Sequence, residues 1–308
     1  MTRRHLLVLG GVGIFIVLLS LWFVLRGFRG GQEAQPLPRA RVGRHVVWLP
    51  LSGLAGEVQV TLWDAHGQAL SYEDVVVAFQ GNGEVRQGHL LLIGDFSSLT
   101  PRYAEVRIRG QRVTYLLEPA SPPQGRVKGQ RVLLRDALLG SQTAVLFACF
   151  SLPDVRDWRP QVRLATPQGR WVPFYEHLYR AREAFARREG CFIFLFAPRE
   201  GTISKPAAEW TLHTSALVLD RQQCLTAEEK RRVEAWASSR GPLPVAFVEW
   251  QDAPDAWPYR WCPAPPSGPE VTPSPDVFAL WEGAYRTLFT QPVGEDLTFT
   301  LAAPLGEE

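Results

Sequence analysis

The sequence lacks the short patterns that mark most enzyme and metal sites. There is no G-x-S-x-G, no H-E-x-x-H and no calcium-loop pattern, so hydrolase-elbow, zincin and EF-hand chemistry are not indicated. No G-x-G-x-x-G and no phosphate loop occur, which removes the usual sign of nucleotide binding. There are only 4 Cys and no C-x-x-C, so zinc and thioredoxin-type redox sites have little support. Charge of one sign is also scarce. The 33 basic and 31 acidic residues leave a net charge of +2, too little for the electrostatic footprint of a nucleic-acid binder. Lysine is rare, at positions 128, 205 and 230 alone, and this arginine bias carries no functional reading. No catalytic, cofactor-binding or metal-ligating residue is therefore expected, and no nucleic-acid partner.

What is present is a long apolar start and a body able to fold. From Leu6 to Leu25 the chain carries no charge, and twenty helical residues rise about 30 Å, one hydrocarbon core. A secretory h-region is shorter and ends in a small-x-small cleavage site. Here the run ends in Trp22-Phe23-Val24-Leu25-Arg26, with no cysteine for lipidation. Trp22 and Phe23 suit an interfacial belt, and Arg26 and Arg29 suit the headgroups. The expectation is an uncleaved single-pass anchor over residues 1–29, its membrane contact made by residues 6–25.

The orientation has two readings. Arg26, Arg29, Arg39, Arg41 and Arg44 follow the span, against Arg3 and Arg4 before it, and this count favours a cytoplasmic body. A short basic N-terminus ahead of a long apolar run has the form of a signal anchor. It favours a body outside the cytoplasm, and that is the expectation here. Residues 30–43 then form a juxtamembrane linker rich in Gly and Pro.

Hydrophobic residues make up 46% and charged residues 21%, which excludes a disordered chain and allows sizeable cores. Residues 44–119 read as an antiparallel β-sandwich module. In "EVQVTLW", Val58, Val60 and Leu62 alternate with polar residues; in "YAEVRIRGQRVTYLLE", Ala104, Val106 and Ile108 do so. Gly110-Gln111 suits a two-residue hairpin turn. "EPASPPQGRVKGQ" marks a boundary.

A second β-rich module with helices is expected over 131–250. "TAVLFACFSL" is continuously apolar, as a strand buried on both faces would be. "VRLATPQGRWVPF" gives two strands around a turn, and "GCFIFLFAP" and "EWTLHTSALVLD" follow. "FYEHLYRAREAFARREG" has helical spacing in Leu178, Ala181 and Phe185. "LTAEEKRRVEAWASSRG" is the best helix of the body, opened by a Thr226/Glu229 capping box. Followed by "LPVAFVEW", it leaves an α/β sheet open as the alternative for this module. Residues 251–308 read as a Pro-rich tail, an amphipathic helix and a final edge strand. The fold class is thus mainly β with appended helices (α+β), an N-terminal transmembrane helix preceding two sandwich-like modules.

The second module, on "VRLATPQGRWVPF" and "REGCFIFLFAP", resembles immunoglobulin-like β-sandwich modules of membrane-anchored bacterial envelope proteins. The resemblance implies a Cys–Trp–Cys order, sought in Cys149, Trp158 and Cys191. The tyrosine expected two residues before the second cysteine is missing.

Four cysteines allow three connectivities; the pairs expected for an extracytoplasmic body are Cys149–Cys191 and Cys224–Cys262. Asp64 and His66 in "WDAHG" have the residue types of an acid–base pair but lie at a turn, where Asp and Gly serve the backbone. His177 is expected to be solvated at a helix start, and His213 to lie in an apolar strand. Trp250, Trp257, Tyr259 and Trp261 crowd one Pro-broken stretch. Packing against their own domain is the first reading; stacking on sugar rings or on a partner's Pro-rich segment is the second. The expected function is a membrane-anchored, extracytoplasmic, non-enzymatic scaffold or interaction protein of the cell envelope, with a protein partner. The alternatives are a glycan- or wall-polymer-binding module using those four aromatics, and an enzyme with a diffuse site.

Overall fold

The computed structural model describes residues 37–52, 57–80, 87–98, 100, 101–108, 110–120, 123–128, 131–140, 142–179, 188–198, 202–203, 209–220, 224–242, 260–261 and 275–300. The expected anchor lies outside the described residues. Among the described residues no helix is long and apolar enough to cross a membrane.

The first module is built of β1 (Arg39–Val42), β2 (Val46–Ser52), β3 (Val58–Trp63), β4 (Ala69–Leu70), β5 (Asp74–Gln80), β6 (Gln87–Ile93), β7 (Tyr103–Ile108) and β8 (Gln111–Pro119). They form one eight-stranded sheet in the order β4-β3-β7-β8-β1-β2-β6-β5. The sheet coils round a single core. Leu62 of β3 and Val106 of β7 share a cluster with Leu49 of β2 and Leu90 and Leu92 of β6, from the opposite half. The Tyr72 hydroxyl, just ahead of β5, donates to the Val60 carbonyl of β3 at 3.2 Å.

Three expectations for this module need correction. Residues 39–42, assigned to the linker, are β1: Ala40 and Val42 are buried, and Arg39 and Arg41 reach Glu118 at 3.2 and 3.6 Å. The period-two pattern is there, but four residues between prolines and arginines are too few to announce it. β1 runs parallel to β8, so the sheet is mixed and not purely antiparallel. The hairpin turn is also one residue earlier than expected, because Ile108 pairs with Gln111; Gly110 takes the positive φ of 79°.

The rest of the body adds β9 (Gln124–Lys128), β10 (Val132–Leu139), β11 (Ala144–Ser151), β12 (Trp158–Thr166), β13 (Gly169–Trp171), β14 (Tyr175–Tyr179), β15 (Glu189–Phe196), β16 (Glu209–Leu219), β17 (Cys224–Leu225), helix α1 (Ala227–Ser238), β18 (Arg260–Trp261), helix α2 (Pro275–Leu288) and β19 (Thr290–Thr300). A middle sheet, β10-β11-β15-β14, faces an outer sheet, β13-β12-β16-β19-β9. Phe150, Phe192, Phe194 and Phe196 of the middle sheet pack against Trp210, Leu212, Leu217 and Phe299 of the outer one. Trp281, Ala284 and Tyr285 of α2, and Val233 and Ala237 of α1, join the same core. The capping box forms at the start of α1: Thr226 Oγ1 accepts from the Glu229 amide at 3.3 Å, and Glu229 Oε2 accepts from the Thr226 amide at 2.9 Å.

All pairings within these two sheets are antiparallel, so the described residues give a sandwich with helices and not the α/β alternative. The strand expected over "LPVAFVEW" lies outside the described residues. Three further corrections follow. Residues 175–179, expected as helix, are the edge strand β14; five residues fit both periods, and the apolar flank of β15 beside them supplies a ladder. The stretch 124–128, expected as a boundary, is edge strand β9, paired with β19. β19 itself, expected as a final edge strand of a separate tail, lies between β16 and β9.

The middle sheet is covered on both faces. Behind β11 and β15, Val145, Phe147, Ile193 and Leu195 meet Val46, Trp48, Val76, Ala78, Leu91 and Ile93 of the first sheet. Their close approach depends on two glycines. A Cβ on Gly43 would stand 2.6 Å from the Asp136 carboxyl, and one on Gly140 would stand 2.4 Å from the Trp48 ring. Asp136, on an irregularity of β10, is 2% exposed. Its carboxylate accepts from the amides of Arg44 at 2.9 Å, His45 at 2.5 Å and Val46 at 2.9 Å. Three successive N–H groups thus form a nest round one anion. Burial pushes the Asp136 carboxyl above its ordinary value, while the three donors and His45 pull against that.

Asp136→Ala removes the acceptor of three amides and is expected to lower stability by about 3 kcal/mol or more, read as a shifted denaturant midpoint. Asp136→Asn, which keeps an acceptor oxygen, loses less. An alanine variant as stable as the parent would rule out a stabilising role for this clamp.

Candidate functional site

Cys149 and Cys191 face each other across the β11–β15 ladder and are joined by a disulfide. Both are buried, on the side of the middle sheet that meets the first sheet. Trp158 lies on the opposite side, in the core shared with the outer sheet, where its Nε1 donates to Asp154 at 2.9 Å. The bond therefore links neighbouring strands of one sheet, and the Cys–Trp–Cys arrangement of antibody domains, in which the disulfide joins two sheets, is not formed. Glu189 lies near both sulfurs, yet disulfide sulfur is no thiolate ligand; Glu189 contacts Arg135 at 3.5 Å. Cys224 begins β17 opposite Arg260, and Cys262 lies outside the described residues, as do Trp250, Trp257 and Tyr259. The backbone of Trp261 pairs with Leu225.

The histidines singled out by sequence are not brought together. Asp64 Oδ1 accepts from the His66 and Gln68 amides, both at 2.8 Å, as a turn-forming aspartate does. His213 projects on the exposed face of β16 and pairs with Asp296 of β19. His177 is not at a helix start: it sits on β14, with Nε2 3.1 Å from Asp74 of β5.

His177 lines a hollow of about 280 Å³ with Asp157, Arg159, Glu176, Leu178, Phe192 and Asp220. Its charges answer one another. Arg159 donates to Asp220 and, at 3.0 Å, to Glu176. Burial works against the Arg159 charge, and the two carboxylates more than restore it. Beside it the Tyr179 hydroxyl donates to Glu73, and burial and that carboxylate push its pKa above the ordinary value, which keeps the phenol neutral. These pairs clip edge strand β14 to β12 on one side and to the first sheet on the other.

A second hollow, of about 460 Å³, opens on the outer face of the first sheet. It is lined by Trp63, Asp64, Ala65, Gly67, Tyr103, Glu105, Arg112 and Thr114. The ladder explains their grouping. Trp63 is opposite Tyr103, Glu105 is opposite Thr61 and Thr114, and Arg107 is opposite Arg112. The face thus reads as an aromatic row, an acidic row with hydroxyls, and a basic row. Glu105 is 7% exposed, with Arg107 Nε donating to it at 2.8 Å and Arg112 donating to its other oxygen. Burial would raise its carboxyl, but the two guanidinium groups hold it below the ordinary value. Sequence reasoning missed this set. Its signal was two aromatic rings in the polar phase of strands whose apolar phase was already assigned to the core.

No protein-family model matches the chain, and no curated protein sequence matches it. Among solved structures, a titin A168–A169 structure aligns with 57% of this chain and 88% of its own, at 13% identity and a TM-score of 0.17. Bovine butyrophilin aligns with 58% of this chain and 88% of its own, at 13% identity and a TM-score of 0.16. A structure of ICOS with ICOS-L and a VNAR domain aligns with 57% of this chain and 92% of its own, at 11% identity and a TM-score of 0.17. These neighbours are immunoglobulin-like. At such scores no residue of this chain takes a role from them.

One buried polar group has chemistry of its own. His89 on β6 is 0% exposed, and its Nδ1 accepts from Trp48 Nε1 at 3.2 Å. The neutral ring therefore carries its proton on Nε2, which has no partner among the described residues. Phe174 stands against it, with ring centroids 5.8 Å apart. Burial lowers its pKa to about 4. An unfolded imidazole titrates near pH 6.5, so between about 6.5 and 4 the unfolded chain binds more protons. The stability His89 lends is whole above about pH 6.5 and drains away as pH falls towards 4, by about 3 kcal/mol in all. His89→Gln, which keeps an acceptor for Trp48 and does not titrate, should flatten this part of the pH dependence of the denaturant midpoint. An unchanged slope would assign the acid sensitivity to other groups.

Proposed function

We propose that the chain is a membrane-anchored, non-enzymatic interaction protein of the cell envelope whose body stands outside the cytoplasm. The observation that carries this reading is the Cys149–Cys191 disulfide, buried in the two central strands of the body. Such bonds form and persist in oxidising compartments and are rare in the cytosol. The uncharged run Leu6–Leu25 gives the same body a tether. The paired charges of the hollow at Arg159 also support a structural surface, since each candidate acid or base there is engaged by its neighbours. The envelope setting and the likeness to anchored immunoglobulin-like modules belong to this proposal.

The test is a pair of C-terminal topology reporters, one active only outside the cytoplasm and one fluorescent only inside. Activity of the first and silence of the second is the expected result; the reverse overturns the proposal. In the same cells, Cys149 and Cys191 should resist thiol alkylation until a reductant is added under denaturing conditions. Replacing both by Ser is expected to cost roughly 4 kcal/mol, from the loop of 42 residues that the bond closes.

A further inference from the structure

We propose that the hollow over Trp63 and Tyr103 is a binding site for a neutral pyranose glycan. The two rings stack on sugar faces, and Asp64, Arg112 and Thr114 take the hydroxyl groups. Its residues are other than those of the Trp250–Trp261 stretch, and the proposal does not depend on the orientation of the anchor.

The first argument is exposure. Tyr103 is 38% exposed, although an aromatic ring gains by burial and β7 has a buried face to offer. Its neighbour across the ladder is Trp63, so two flat apolar surfaces lie side by side, flanked in the same row by Ala69 and Leu116. Gly67, with φ of 76°, closes the adjoining turn without a side chain, and nothing lies within 4 Å of the position a Cβ would take.

The second argument is the chemistry of the rim. A pyranose has C–H faces suited to stacking and an edge of hydroxyls, each both donor and acceptor. The hollow offers both functions. Asp64 has one oxygen committed to the turn, and its other carries no partner among the described residues. The Thr114 hydroxyl also has none among the described residues, and stands opposite Glu105. Arg112 is 63% exposed at its side chain while its Nη2 holds Glu105, so the guanidinium is both oriented and within reach of solvent. A volume of about 460 Å³ falls in the range of small-ligand sites, about 300–1,000 Å³.

The third argument is charge. Asp64 and Glu105 are matched by Arg112 and by Arg107, which also holds Glu105, so the site carries no net charge. Both guanidinium groups are engaged by Glu105, which leaves an anionic polymer no net attraction there. A neutral polyol needs none.

The experiment uses the full chain in a non-sugar detergent. Cellotetraose, chitotetraose and maltotetraose are offered in turn, with a heparin tetrasaccharide and decaproline as the anionic and peptide probes. Binding is read by saturation-transfer NMR and calorimetric titration. At least one neutral tetrasaccharide is expected to bind, and Trp63→Ala and Tyr103→Ala each to weaken it at least tenfold. Thr114→Val should weaken it severalfold, and Tyr103→Phe, which keeps the ring, should stay near the parent. Thermal unfolding of each variant separates loss of site from loss of fold; if Trp63→Ala unfolds, the Tyr103 pair decides. The proposal is overturned by no binding of any neutral probe at millimolar concentration, by binding that both alanine variants retain, or by preference for the heparin or decaproline probe.

Discussion

Strands β11 and β15 have no solvent-facing side. From Ala144 to Phe150 and from Gly190 to Phe196 every residue is buried, and one disulfide ties the two strands at their facing cysteines. A sheet apolar on both faces needs a cover on each. The outer sheet with α1 and α2 supplies one, through Trp210, Leu212, Tyr285 and Phe299. The first sheet supplies the other, through Val46, Trp48, Leu91 and Ile93. The two modules read from the sequence are therefore not beads on a linker, because one covers the other.

That covering interface carries polar groups where apolar ones would be cheaper, and their positions are specific. A nest of three amides fits one carboxylate in one register, and Asp136 provides it from the partner layer. Gly43 and Gly140 admit Asp136 and Trp48 because any Cβ there would collide. Trp48 in turn spends its N–H on His89. Hydrophobic contact between two sheets tolerates sliding; a buried anion that must meet three N–H groups does not, since each missed bond leaves a desolvated polar atom. We read Asp136 as setting how the layers align, with dispersion and apolar burial supplying most of the attraction.

How much of this was legible in the sequence depended on run length and on period. "TAVLFACFSL" suited a strand with two dry faces, and Ala144–Phe150 within it form one. Thr226 and Glu229 marked the start of α1 to the residue, since a capping box is a local device. "FYEHLY" was misread because Leu178 fits a helix as well as a strand over so short a stretch; the choice was made by pairing with β15, from Tyr179 with Cys191 to Tyr175 with Leu195. The parallel β1–β8 pair and the place of β19 between β16 and β9 were equally invisible, being matters of long-range pairing with no local signal. The Asp136 clamp joins residues 90 to 92 positions apart, and nothing at either end foretells it.

The same layering explains where a binding surface can be. Among the described residues, the outer side chains of the first sheet's strands that join the core shared with the middle sheet come from β2, β5 and β6. Because the sheet coils, β3, β7 and β8 turn their outer face elsewhere. Their inner positions, Leu62, Ala104, Val106, Ile108 and Leu117, are fixed by the core. Their outer positions are released from packing, and alternation makes them a flat grid of side chains on a rigid ladder. Residues free of packing on a surface strand are ordinarily polar, as Gln59, Thr61, Arg107 and Thr114 are. One row breaks that rule: Ala69, Trp63, Tyr103 and Leu116 face one another across it, with the two rings at its middle. The core is closed beneath this row, and Tyr103 remains 38% exposed, an apolar surface turned to solution.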